Sequence, residues 1–198
     1  MPPEGGQQTP PRPQRGQELD LRVDSLAFGG AGVARTDGYV VFVNGAMPGD
    51  RVRAVIRKRK RHYAEATVLE IVEPGPDRIP ARAKHPGAPW QVLPYERQLE
   101  VKQQQVMDAL TRLGRLSAGG PPEQGGFELE AIVPALETWR YRNKVEYSFG
   151  TDPDGRLICG FHAPGQWHEI VDIDDCLLVS EASNLVRRRV VEWARSGE

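Results

Sequence analysis

Between Glu18 and Pro74 the chain alternates polar and apolar residues in short runs broken by glycine-rich corners. ELDLRVDSLA leads into FGGAG. VARTDGYVVFV folds back around Asp37-Gly38, a favoured two-residue hairpin turn. NGAMPGD is a further turn, and RVRAVIRKRK and YAEATVLEIVEP complete the set. Five short strands with glycine-rich corners thus fall in under sixty residues. The pattern predicts a small closed or nearly closed barrel of OB-like character over residues 17–76. Gly29, Gly30 and Gly32 are read as corner residues, because no helix follows them to complete a phosphate cradle.

The fourth run is also the most cationic part of the chain. Seven of the thirteen residues of Arg51–Tyr63 are Arg or Lys and none is acidic, although the whole chain is near neutral at 26 basic and 27 acidic residues. Concentrated positive charge beside an aromatic suits a polyanion whose bases can stack, RNA in particular. The same run would also suit a solvated hairpin whose lysines protect an exposed edge. The near-zero net charge excludes a histone-like or ribosomal-tail protein. Two cysteines, Cys159 and Cys176, exclude a disulfide framework and point to a reducing cytoplasm. No apolar stretch approaches the roughly 18 residues of a membrane helix, so no membrane partner is expected.

Residues 1–16 are rich in Pro, Gly and Gln and are expected to be a disordered tail; Ser117–Gly126 reads as a flexible linker. From Tyr95 the spacing of Leu99, Val106, Leu110 and Leu113 predicts an amphipathic helix with that stripe in the core. Later, W-R-Y-R-N-K predicts a strand with Arg140, Arg142 and Lys144 on one face. That face suits RNA phosphate, or pairing with the acidic residues of 152–154. Hairpins follow from Glu146–Gly150 through RLICGFH to WHEIVDI, with turns at Asp154-Gly155 and Pro164-Gly165. Ser180–Arg195 predicts a capped helix with Leu185, Val186, Val190 and Trp193 along its apolar side and Arg187, Arg188 and Arg189 outward. His162 and His168 read as structural, with no serine or cysteine in an obvious triad relation to them.

The stretch LRVDSLAFGGAGVARTDGYVVFVNGAMPGDRVRAVI, its basic run and YAEATVLEIVEPGPDR together resemble a TRAM domain. More specifically, they are similar to the one that begins RNA uracil-5-methyltransferases. The resemblance implies an RNA-binding barrel with Arg57, Lys58, Arg59, Lys60, Arg61 and Tyr63 as contacts. It also implies a following α+β domain with an antiparallel sheet over residues 77–198, to which Arg140, Arg142 and Lys144 belong. An N-terminal TRAM domain resembles the ribosomal branch, so ribosomal RNA is the expected partner. Family members carry four cysteines that hold an iron–sulfur cluster; the matching positions here are Ile79, His85, Ala88 and Cys176. One thiolate and one imidazole cannot replace four thiolates, so no cluster is expected and Cys176 becomes a buried, unreactive remnant. A zinc site needs more ligands than His85 and Cys176 supply.

In the resembling family, S-adenosylmethionine and the catalytic cysteine belong to a C-terminal Rossmann-like domain, and nothing in these 198 residues matches it. No catalytic residue is therefore assigned. The expectation is the RNA-recognition region of a (uracil-C5)-methyltransferase, working with a separate or downstream methyltransferase domain. The alternative is a free-standing RNA-binding or RNA-chaperone module.

Overall fold

The computed structural model describes residues 12–164 and 166–197. They divide into two compact units: residues up to Arg78 with Glu96–Glu130, and Ile79–Tyr95 with Ala131 onward.

In the first unit, β1 (Glu18–Leu26), β2 (Gly32–Thr36), β3 (Tyr39–Asn44), β4 (Arg51–Arg59) and β5 (Tyr63–Glu73) close into a barrel in the order β1-β2-β3-β5-β4. The β3–β5 pair is parallel and the other four are antiparallel. Alternation decides what lies inside: Leu21, Val23, Ala34, Val41, Val43, Val52, Ala54, Ile56, Ala64 and Ala66 are all buried in one cluster. The β2–β3 turn has positive φ at both Asp37 (49°) and Gly38 (79°), as the primed hairpin turn requires.

One buried carboxylate ties the 45–50 segment to the exit of β5. Asp50 accepts hydrogen bonds from the Met47 amide (2.7 Å), the Gly75 amide (2.8 Å) and the Arg78 guanidinium (2.7 and 3.0 Å). Burial would raise the Asp50 pKa, but Arg78 and the two amides outweigh it and hold the group below the usual carboxylate range. Gly75 has no room for a side chain, since a Cβ there would lie 2.4 Å from the Pro48 carbonyl oxygen.

The expected disordered tail is partly wrong. Residues 1–11 lie outside the described residues, but the end of the segment pairs with β4: the Gly16 amide donates to the Ile56 carbonyl (2.8 Å) and the Ile56 amide donates to the Gln17 carbonyl (2.9 Å). Pro13 is buried. The tail belongs to the barrel because these hydrogen bonds extend the β1–β4 ladder.

α1 (Tyr95–Asp108) runs into a π-helical turn at Ala109–Leu113 and has no buried residue. The stripe expected in the core fails at Val106 and Leu113, which are exposed, the latter at 84%. The 117–126 segment contains a short parallel pairing of β6 (Ser117–Ala118) with β7 (Gly126–Phe127).

In the second unit β8 (Ser148–Thr151), β9 (Leu157–Ala163) and β10 (Gln166–Asp172) form an antiparallel sheet in the order β10-β9-β8. The expected strand at 140–145 is absent; only Arg142 makes an isolated bridge, to Val179. The reason lies in the 177–179 segment, whose Leu177 and Leu178 carbonyls accept the amides of Arg140 and Arg142. Arg140 itself sits in the left-handed region (φ 56°), which breaks any alternation of its neighbours.

α2 (Glu181–Ser196) is capped as expected, with Ser180 Oγ accepting from the Ser183 amide (3.1 Å). Its buried face is inverted. Asn184, Arg187 and Val191 are buried, while Leu185, Val186, Val190 and Trp193 are exposed, Trp193 at 61%. Hydrogen bonds, not apolarity, choose the face. Asn184 accepts from the Cys176 amide (2.9 Å) and donates to its carbonyl (3.0 Å). Arg187 donates to Asp174 O (2.6 Å) and Cys159 O (3.3 Å), and its guanidinium lies 5.5 Å from the centre of the Tyr147 ring. Among the described residues no helix is long and apolar enough to cross a membrane.

Candidate nucleic-acid interface

The cationic run occupies β4 and its turn into β5, and the structure splits it. In its first half the outward residues face acidic strands on both sides. Arg51 donates to Asp20 (2.9 Å) and Glu73 (2.9 Å), and Arg53 pairs with Glu70 (2.9 Å) and Glu18 (3.6 Å). Hydrogen bonding from Arg51 holds the Asp20 carboxyl below its usual range, and the two carboxylates push Arg51 up. These charges are neutralised locally.

A bulge then changes the register. Ile56 pairs with Ala66, but Lys58 pairs with Glu65 and Arg59 with Ala64, which leaves Arg57 as the extra residue. Lys58 consequently faces Glu65 and forms an ion pair (3.5 Å). Arg57, Arg59, Lys60 and Arg61 are exposed, and no carboxylate among the described residues lies within ion-pair distance of them. The run therefore presents four uncompensated cations, all at its far end.

That end is held in shape by an aromatic residue the sequence did not flag. The Tyr39 hydroxyl faces the carbonyls of Lys60 and Tyr63, the second at 2.7 Å, and the Lys60 amide donates to Tyr63 O (2.8 Å). Tyr63 is half-buried against Phe42, with ring centroids 5.4 Å apart and planes at 75°. Phe42 was also missed, because its pairing to Tyr63 depends on the parallel β3–β5 contact, which joins strands distant in sequence. A fixed cationic turn beside two partly exposed aromatic rings can bind phosphates and offer a surface to an unstacked base.

The cations of the second unit are differently employed. Arg140 donates to Asp175 (2.8 and 3.3 Å) and to Val179 O (3.2 Å). Arg142 lies over the Tyr141 ring (5.8 Å), and Lys144 pairs with Glu146 (3.2 Å). Trp139 packs in the core of this unit, with Arg82 5.3 Å from its ring centroid. The three cations thus share no strand face, contrary to the alternation expected of them.

At the degenerate cluster positions, His85 is 5% exposed and its Nε2 lies 3.2 Å from the Sγ of fully buried Cys176. The Gly87 amide donates to His85 Nδ1 (3.1 Å), so Nδ1 offers a lone pair and Nε2 carries the proton towards sulfur. Burial holds the His85 pKa below its usual value, with a smaller push from Arg142. The Phe161 ring centroid lies 5.0 Å from that of the imidazole with the planes tilted by 44°, Ala88 packs against the cluster that contains Cys176, and Ile79 is 41% exposed. One thiol bonded to a neutral imidazole is not a donor set for an iron–sulfur cluster. Cys159 is also buried, and burial pushes its thiol pKa up. His162 does have a serine nearby: the register that pairs Ser148 with Gly160 brings Ser148 Oγ to 2.9 Å from its Nε2.

This geometry defines a small cationic β-barrel joined to an α+β unit. Residues 12–69 match the TRAM domain model. Over most of its length the chain is similar in sequence to RNA methyltransferases. It is 35% identical to an uncharacterized RNA methyltransferase of Halalkalibacterium halodurans, covering 89% of this chain and 37% of that protein. It is 32% identical to one from Porphyromonas gingivalis, covering 87% and 40%. Among solved structures it is similar to the Pyrococcus abyssi tRNA (uracil-54, C5)-methyltransferase in complex with S-adenosyl-L-homocysteine. That match has a TM-score of 0.56 and 26% identity, and covers 87% of this chain and 36% of that one. The chain spans about two-fifths or less of the length of these relatives.

Proposed function

We propose that this chain is the RNA-recognition region of an S-adenosylmethionine-dependent RNA (uracil-C5)-methyltransferase acting on ribosomal RNA. Its barrel, OB-like in character, grips RNA through the β4–β5 turn. The observation that carries the reading is the cluster of Arg57, Arg59, Lys60 and Arg61, uncompensated among the described residues and set beside the Phe42–Tyr63 pair. Arginines and lysines of this kind hold backbone phosphates, and an exposed ring favours a base that has left its stack, the state a uridine must reach to be methylated.

Recognition and chemistry are divided in this reading. Neither cysteine is suited to attack a uracil ring: Cys159 is buried with its thiol pKa raised, and Cys176 receives the His85 Nε2–H. Methyl transfer, and the S-adenosylmethionine it needs, then belong to a methyltransferase domain such as the longer relatives have room for. The cluster is replaced by the His85–Cys176 contact.

Photocrosslinking tests this directly. A single-stranded RNA carrying 5-iodouridine should crosslink to peptides containing Tyr63 or Phe42, and the chain alone should transfer no methyl group from labelled S-adenosylmethionine. Crosslinks confined to the second unit, or methyl transfer by this chain alone, would contradict the reading.

A further inference from the structure

The basic end of the barrel has a second contributor. The 12–17 segment is fastened to β4 by the Gly16–Ile56 and Ile56–Gln17 hydrogen bonds, one residue before the Arg57 bulge. It is internally braced as well: the Gln14 amide donates to Gln17 Oε1 (2.9 Å) and the Gln17 amide to Gln14 O (3.1 Å). Gly16 turns the chain at φ 84°, and buried Pro13 anchors it. Arg12 and Arg15 flank that anchor. Both are exposed, and no carboxylate among the described residues lies within ion-pair distance of either.

We infer that Arg12 and Arg15 extend the RNA site, so that Arg12, Arg15, Arg57, Arg59, Lys60 and Arg61 form one phosphate-binding track for single-stranded RNA. The inference rests on the RNA-recognition reading above and adds a second element to it. Two features support it. A cation on a segment already fixed by backbone hydrogen bonds loses less conformational freedom on binding than one on a free tail. The ionic surroundings are also asymmetric: outward Arg51 and Arg53, at the other end of β4, are neutralised, whereas the cations around Gly16 and the β4–β5 turn are not. Single-stranded RNA is favoured because the flanking Phe42–Tyr63 pair can receive only an unstacked base.

The salt dependence of binding counts the cations involved. For single strands the slope of log K against log salt is roughly −0.7 per phosphate neutralised. Fluorescence anisotropy of the full 198-residue chain with a 12-nucleotide single-stranded RNA should therefore give a slope of about −4. The R12A/R15A variant should bring it to about −3 and weaken binding several-fold near 0.1 M salt. Deleting residues 1–11, which contain no Lys or Arg, should change neither quantity. A wild-type slope for R12A/R15A, with a reduced one for R57A/R59A/K60A/R61A, would overturn the extended track and leave the RNA reading standing. Wild-type slopes for both variants would remove the RNA reading and this inference together. Tighter binding to a duplex of the same sequence would overturn the single-stranded assignment.

Discussion

The barrel and the second unit are both rich in Arg and Lys, but they use them differently. At the β4–β5 turn four cations stand clear of carboxylates among the described residues, on a turn held by Tyr39. In the second unit Arg140 is bound to Asp175, Lys144 to Glu146, and Arg187 is buried among carbonyls with only 8% exposure. A count of positive residues could not separate the two. What separates these residues is whether the fold supplies a partner: Arg140, Lys144 and Arg187 are engaged within the second unit, whereas Arg57, Arg59, Lys60 and Arg61 have no carboxylate within ion-pair distance among the described residues.

If the contrast is right, removing an internal partner should cost stability, and removing a free cation should cost only binding. The largest effect is expected at Asp50. Asp50→Ala strips the Arg78 guanidinium and two amides of their acceptor and should cost about 3–5 kcal/mol. All four tryptophans, 90, 139, 167 and 193, lie outside the barrel unit, so far-UV circular dichroism should register this loss more than tryptophan fluorescence does. Because the folded pKa of Asp50 is lowered, its contribution is complete above the ordinary carboxylate range. It should fade as pH falls through the folded value. Arg187→Met comes next, at about 2–3 kcal/mol, because Asp174 O and Cys159 O lose a charged donor. Tryptophan-monitored urea unfolding would measure it.

A smaller change should follow pH through His85. Its folded pKa lies below the ordinary 6.5, so the unfolded chain takes up the proton first. The stability of the second unit should therefore be full above about pH 6.5 and decline as pH falls below it, with His85→Phe flattening the decline. The smallest effects are expected from Val186→Ser and Val190→Ser, within about 0.5 kcal/mol each, because both side chains face solvent. Losses of 2 kcal/mol or so would restore the apolar stripe to the core and undo the inversion of α2.

The barrel was readable in the sequence because β alternation is local and closure is cheap to infer. Leu21, Val23, Val41, Val43, Val52 and Ile56 all fall inside where alternation places them. The second unit was not, because its decisive interactions are between side chains and carbonyls. Nothing in the pattern NLVRRRVV reveals that Asn184 and Arg187 will be taken by the 174–176 loop, which turns Val186 and Val190 outward. The same limit applied to the 140–144 segment, where pairing with 177–179 and a left-handed Arg140 override alternation. In the basic run, charge density marked the stretch but not the state of its side chains. Only the β4 bulge and the acidic neighbours on β1 and β5 show which of its cations are free.

One pair of double variants tests that distinction with equal charge removed. R59A/R61A and R51A/R53A each delete two cations from the same run, and single-stranded RNA binding is measured for both across a salt series. The uncompensated pair should reduce the magnitude of the salt slope by about 1.4, whereas R51A/R53A should stay near wild type because carboxylates already neutralise those side chains. Equal losses from the two variants would mean that net charge alone draws RNA to this barrel, and that the free turn is not its site.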